Sequence, residues 1–157
     1  MKRISIVGIL LLALSAAVLA QTSAKPSFVG TWKLNAAKSK YVPGPTPKSQ
    51  TAVISAVDNG MKVVSDRVEA DGKTVHFEWT AKFDGKDYPV QGDPARDMVA
   101  VKKLDDYNLE ITNKKAGKVT TMIKAVYAKD GKTRVETVTG TNAQGQSVNN
   151  VTAWDKQ

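Results

Sequence analysis

The chain contains no cysteine and one histidine, and arginine occurs only at positions 3, 67, 96 and 134. Without cysteine there is no disulfide to staple the fold, no thiolate nucleophile and no N-terminal cysteine to carry a lipid. With one histidine a zinc site would need a carboxylate-dominated shell, which zinc rarely uses. The sequence also lacks a Gly-x-Ser-x-Gly elbow, a phosphate loop, a His-Glu-x-x-His pair and a calcium loop. No metal and no cofactor is therefore expected, and nucleophilic or metal-assisted hydrolysis loses its usual carriers. Beyond the first two dozen residues no run is apolar enough to span a bilayer.

What is present begins with Met1-Lys2-Arg3, a basic start, followed by an uncharged stretch over 4–20 rich in Ile, Leu, Val and Ala. That order is the one the export machinery reads. Small residues suit cleavage after Ala20 (with Val18) or after Ala24 (with Thr22). The expectation is a signal peptide over 1–24 and one domain over 25–157. The protein would be exported, periplasmic or secreted, with no stable membrane insertion after cleavage. Loss of Lys2 and Arg3 takes the formal charge from +8 to +6. The remaining lysines are spread along the chain, as at Lys102-Lys103 beside Asp105-Asp106, and do not gather into one stripe. Nucleic-acid readers concentrate positive charge and draw on Arg, so no nucleic-acid partner is expected. A solvated, lysine-rich surface suits an exported protein.

Short β-branched or aromatic runs are separated by Asn59-Gly60, Asp71-Gly72, Asp84-Gly85, Ala116-Gly117, Asp130-Gly131 and Gln144-Gly145, with 105–108 as a further connection. Gly, Asn and Asp tolerate the positive φ of tight hairpin turns. Strands are predicted near 28–35, 50–57, 61–69, 74–82, 87–90, 98–104, 109–115, 119–129, 133–141 and 147–155. The Pro-rich stretch 36–49 is the one long connection, and 91–97, with Pro94, is a second irregular piece. Near-neighbour pairing throughout predicts an all-β fold, a single antiparallel meander of about eight to ten strands closed into a barrel, which removes its own edges.

Two-residue turns at Asp71-Gly72 and Asp84-Gly85 would set Val68 opposite Val75, Val64 opposite Trp79, Ala81 opposite Tyr88 and Trp79 opposite Val90. Both hairpins then assign Trp79 to one mostly apolar face, with Ser65, Arg67, Thr74, His76, Glu78 and Thr80 on the other. On this register Val75, Phe77, Trp79 and Tyr88 are the candidate ligand-binding residues. Arg67, His76 and Glu78 would lie together, as an acid-base group if inside the barrel or as a surface charge cluster if outside; the polar face points to the surface. Trp32 is expected at a closed floor. The sequon Asn150-Val151-Thr152 is read as a chance match. Inward-pointing members of the set Thr120, Thr121, Thr133, Thr137, Thr139, Thr141 and Thr152 would make the interior partly polar.

At the start of the domain stands Phe28-Val29-Gly30-Thr31-Trp32-Lys33-Leu34. Gly30-Thr31-Trp32 resembles the Gly-x-Trp signature of lipocalins, the heptad resembles the opening strand of fatty-acid-binding proteins, and Asp106-Tyr107 is similar to a second lipocalin motif. The chain thus resembles the calycin superfamily, and most of all small exported bacterial lipocalin-like domains. The resemblance implies a structural signature at Gly30 and Trp32, with Gly30 leaving room for the indole. It also implies a basic residue stacked on Trp32, for which Lys156 is the counterpart at the chain end. The Arg-x-Tyr pair by which fatty-acid-binding proteins hold a carboxylate in the last strand is absent.

The function expected is non-enzymatic binding of a small, mostly apolar molecule in the lumen. An interaction module with a filled core, using its lysines to bind an acidic partner in the cell envelope, is the alternative. An isomerase or cyclase would need Arg67, His76 and Glu78 inside.

Overall fold

A computed structural model describes residues 28–142 and 144–157. The expected signal peptide and its cleavage sites lie outside these residues. Ten strands follow in chain order: β1 (Gly30–Lys40), β2 (Ser49–Val57), β3 (Gly60–Val68), β4 (Thr74–Lys82), β5 (Asp84–Gln91), β6 (Met98–Lys103), β7 (Asn108–Lys115), β8 (Lys118–Tyr127), β9 (Thr133–Thr141) and β10 (Ser147–Lys156). Each pairs antiparallel with its neighbour in sequence, and β1 pairs with β10, so the meander closes into a barrel without a free edge. The closure is fixed by Trp32 opposite Lys156 and Leu34 opposite Trp154.

The turns divide by chemistry. At Ala116-Gly117 both residues have positive φ, as a two-residue type I′ turn requires, and Lys115 pairs with Lys118. At Asp71-Gly72 only Gly72 does (φ 91). The chain there makes a three-residue loop: Gly72 N–H donates to Glu69 C=O at 2.9 Å, Glu69 N–H to Lys73 C=O at 2.8 Å, and Asp71 Oδ1 accepts Lys73 N–H at 2.9 Å.

That extra residue corrects the expected register. Val63, not Val64, faces Trp79, Ser65 faces Phe77 and Arg67 faces Val75. Because the side-chain period is two, a one-residue slip turns the whole of β3 over. Met61, Val63 and Ser65 are buried, while Asp66 is exposed. Strand β4 keeps the expected faces, with Phe77, Trp79 and Ala81 in the core and Thr74, His76 and Thr80 exposed.

The β4–β5 register is as expected at Trp79–Val90, but only that pair and Glu78–Gln91 are made, and Ala81 does not pair with Tyr88. Beyond them β5 turns to β6, with Tyr88 opposite Val99 and Asp84 opposite Lys102. Phe83 drops toward the floor, its N–H donating to Asn59 C=O at 2.9 Å. Strand β1 also runs further than expected, to Lys40, across an irregularity between Asn35 and Lys40 where Ser39 Oγ donates to Asn35 C=O and accepts Ala153 N–H.

Candidate functional site

One end of the barrel is sealed. Trp32 is 0% exposed, and its indole N–H donates to Phe28 C=O at 2.9 Å, which ties the entering chain across the opening. The Phe28 ring meets Phe83 and Tyr127 edge-on at 5.5 and 6.4 Å, and Trp32 meets Tyr127 at 5.3 Å. Edge-to-face contacts of this kind stabilise beyond the area they bury. Gly30 makes room, but not directly for the indole: a Cβ there would strike the Lys156 side chain, which lies over Trp32 with Nζ 5.1 Å from the ring centroid.

Above this floor is a charged layer that inspection of the apolar pattern does not find. Register places Tyr127, Arg134 and Trp154 side by side across β8, β9 and β10, all inward. The guanidinium of Arg134 lies 4.4 Å from the Trp154 ring, 5.3 Å from Trp32 and 5.7 Å from Tyr127. Its side chain is 5% exposed. Nη1 donates to Tyr127 OH at 3.1 Å and Nη2 lies 3.3 Å from Glu136 Oε1. In the next row Glu136 Oε2 accepts from Thr152 Oγ1 at 3.2 Å and Trp154 Nε1 at 3.1 Å. Burial works against the charge of Arg134, but the Glu136 carboxylate and the Tyr127 hydroxyl outweigh it and hold its pKa above the usual arginine value. Burial is also the main reason the Tyr127 pKa is raised. The basic residue the resemblance implied over Trp32 is therefore double, Lys156 as expected and Arg134 unforeseen. The available signal was the alternation Arg134-x-Glu136-x-Val138 on the face that register links to Thr152 and Trp154.

Between the charged layer and the opposite end lies a cavity of about 510 Å³. Its side walls toward the floor are apolar, with Ile54, Met61, Val63, Trp79 and Ile111, and its base is the charged layer itself, where Tyr127, Arg134 and Glu136 also line it. The open end, the mouth, carries the connections 41–48, 69–73, 92–97 and 116–117, with 142 and 144–146. Near it the lining turns polar, with Tyr41, Gln50, Arg67, Arg96, Asn113 and Thr121. Gly92 (φ 82) shapes this end: a Cβ there would collide with the carbonyl oxygen of His76, so only glycine lets the β5–β6 connection close down on β4. The connection then delivers Arg96 over the Phe77 ring, 4.6 Å from its centroid. Arg96 Nε donates to Asp93 Oδ2 at 3.0 Å and Nη1 to Asn113 Oδ1 at 2.8 Å; Asp93 Oδ1 in turn accepts Ala95 N–H at 3.0 Å. Gly92→Ala is expected to cost about 1–3 kcal/mol through strain and displacement of this loop, measured as a lower urea midpoint with the unfolding slope unchanged.

Tyr41 lies at the mouth, and its pKa is pushed up to about 12, mainly by burial and then by the negative charge of Glu136, with Arg67 acting in the opposite sense. A phenol whose folded pKa is raised contributes stability that is fully present below its unfolded value of 10.0 and is lost as pH climbs toward about 12. Urea midpoints should therefore fall across that window, and less steeply in Tyr41→Phe.

The sequence-predicted site residues separate. Phe77 and Trp79 line the cavity. Val75 and Tyr88 pack against the core without reaching the cavity lining, and the Tyr88 hydroxyl donates to Asp84 Oδ2 at 3.0 Å on the exposed side. Trp154 lines the cavity, as do Thr120, Thr121, Thr141 and Thr152, so the lumen is partly polar. The trio Arg67, His76 and Glu78 is not assembled. Arg67 faces the lumen through the flipped β3, whereas the His76 side chain is 63% exposed, with Nδ1 2.7 Å from Asp66 Oδ1, and Glu78 Oε2 pairs with Lys62 Nζ at 2.9 Å on the outside. The isomerase or cyclase expectation loses its residues. In the sequon, Asn150 lines the cavity and its Oδ1 accepts Val42 N–H at 2.8 Å, while Thr152 is buried.

No family model matches the chain, and no curated protein matches it. Among solved structures the chain is similar to zebrafish ileal bile acid-binding protein complexed with cholic acid. The match has 14% identity and a TM-score of 0.48 over 83% of this chain and 99% of that one.

Proposed function

We propose that the protein is an exported, non-enzymatic barrel that binds one small, mostly apolar molecule in its lumen. The cavity carries this reading. Small-molecule sites occupy roughly 300–1,000 Å³ and are walled mainly by apolar and aromatic side chains with a few placed polar groups. The cavity of about 510 Å³, with Met61, Val63, Phe77 and Trp79 on its walls, matches that description. The rival interaction module assumed a filled core, and this interior is open. Native mass spectrometry of protein purified from its own host, followed by denaturing extraction, tests the reading. A co-purifying small molecule released on unfolding is the expected result. A protein of bare mass that also fails to take up any apolar probe would refute it.

A further inference from the structure

Three arginines lie within the described residues, and all three point into the barrel, whereas the lysines are mostly outside. They are not equivalent. Arg134, near the floor, is stacked between aromatic rings, and both of its Nη nitrogens are engaged, by Tyr127 and Glu136. Only its Nε remains, buried and without a partner among the described residues. Arg67 and Arg96 lie at the mouth end, on the same ring, 5.9 and 4.6 Å from the Phe77 centroid. Arg67 uses only Nε, which donates to Glu69 Oε1 at 2.7 Å, so among the described residues its two Nη nitrogens have no acceptor. Arg96 uses Nε and Nη1, which leaves Nη2. Their Nη donors are thus available beside an apolar cavity.

We infer that Arg67 and Arg96 form an anion-recognition site beneath the mouth, so that the ligand is an amphipathic anion held with its charged head toward the mouth and its apolar part toward Trp79 and Met61. The inference rests on the lumen-binding reading above. Guanidinium donors present a planar fork that matches a carboxylate or related oxyanion, and charge-assisted bonds strengthen where water is excluded. The electrostatics agree. Burial lowers the pKa of Arg96, Asp93 works against this, and the neighbouring positive charge of Arg67 lowers it further. An anion between the two guanidiniums relieves that repulsion. Of the carboxylates nearby, Glu69 and Asp93 each bond the Nε side of one arginine, Glu136 is held in the layer below by Arg134, Thr152 and Trp154, and Asp97, which does not line the cavity, accepts Ala116 N–H on Oδ2 at 2.8 Å while its buried Oδ1 has no partner among the described residues. At the floor Arg134 offers one free nitrogen, a buried Nε pressed among rings and beside the Glu136 carboxylate, against three free Nη nitrogens at the mouth, so the mouth is the better place for the head.

Isothermal titration of the purified protein with dodecanoate, dodecanol and dodecylamine tests this, because the three share a tail and differ in the head. Dodecanoate is expected to bind at least about tenfold more tightly than dodecanol, with dodecylamine weakest. Arg67→Gln should weaken dodecanoate about tenfold and leave dodecanol unmoved, and Arg67→Lys should fall between, since it keeps the charge and loses the fork. The paired change Asp93→Asn with Arg96→Gln leaves no buried charge unmatched and should give the same split in a protein whose circular dichroism is unchanged. Equal affinity for dodecanoate and dodecanol, tighter binding of dodecylamine, or a loss in Arg67→Gln shared by both acid and alcohol would overturn the anion site while leaving the lumen-binding reading standing. Failure of all three to bind would overturn the anion site, and together with a bare native mass it would overturn the lumen-binding reading as well.

Discussion

Arg134→Met is expected to lower the stability of the barrel by about 3–5 kcal/mol, because it strands a buried carboxylate without its cation. Glu136 is almost as enclosed as Arg134, and Thr152 and Trp154, which donate to it, carry no charge. The aromatic faces of Trp32 and Trp154 would also lose the guanidinium that fills the space between them. The size of the effect reflects the orphaned partner more than the worth of the ion pair. Adding Glu136→Gln to Arg134→Met should therefore recover part of the loss, since removing both members of a buried pair is often close to neutral. Urea unfolding of the two single variants and the double variant measures this as a thermodynamic cycle. Strict additivity would show that Arg134 and Glu136 do not act as a unit.

Trp32→Ala is expected to cost about 3–5 kcal/mol, the usual range for deleting a buried large aromatic side chain. Trp32 touches Tyr127 edge-on, carries Arg134 and Lys156 on its ring and fastens the segment before β1 through Phe28, so the void has rigid walls that cannot collapse. Trp32 does not line the cavity. Affinity per folded molecule should accordingly survive, and a parallel loss of affinity and stability would show that floor and lumen are not separate layers. Calorimetric unfolding together with titration at a temperature where the variant stays folded reads both quantities.

The architecture was legible because turn chemistry is local. Asp, Asn and Gly fall between the β-branched runs, and the ten strands they predict correspond to the ten observed, except that β1 runs on to Lys40 and β5 begins at Asp84, inside the expected Asp84-Gly85 turn. The register of β3 was not legible, for an equally local reason. Asp-Gly serves both a two-residue turn with two positive φ values and a three-residue loop with one, and the choice at Asp71-Gly72 turns β3 over. Arg67 thereby moved from the expected outer face to the lumen, and Val64 left it. On β8 and β9 the apolar rule inverts: Val126 and Val135 are 50% and 44% exposed, while Tyr127, Arg134 and Glu136 face inward. A polar residue is stable inside only with partners, and apart from Glu136 on its own strand the partners of Arg134 come from β1, β8 and β10, which no short window of sequence holds together. The cavity is a global property of closure, since its volume depends on how ten strands splay around the floor. Phe77 and Trp79 were found because β4 keeps its strict alternation, and Tyr88 missed the lining because β5 leaves β4 after Val90–Trp79 to follow β6.

The central claim, that an apolar molecule occupies the lumen, is tested most directly by following backbone and indole amide resonances while the protein is titrated with dodecanol, whose neutral head makes no demand on the arginines. Shifts concentrated at Ala52, Met61, Val63, Phe77, Trp79 and Ile111, saturating together, are the predicted result. Shifts confined to the outer residues Val126, Val135 and Val151, with those lumen signals unmoved, would contradict it.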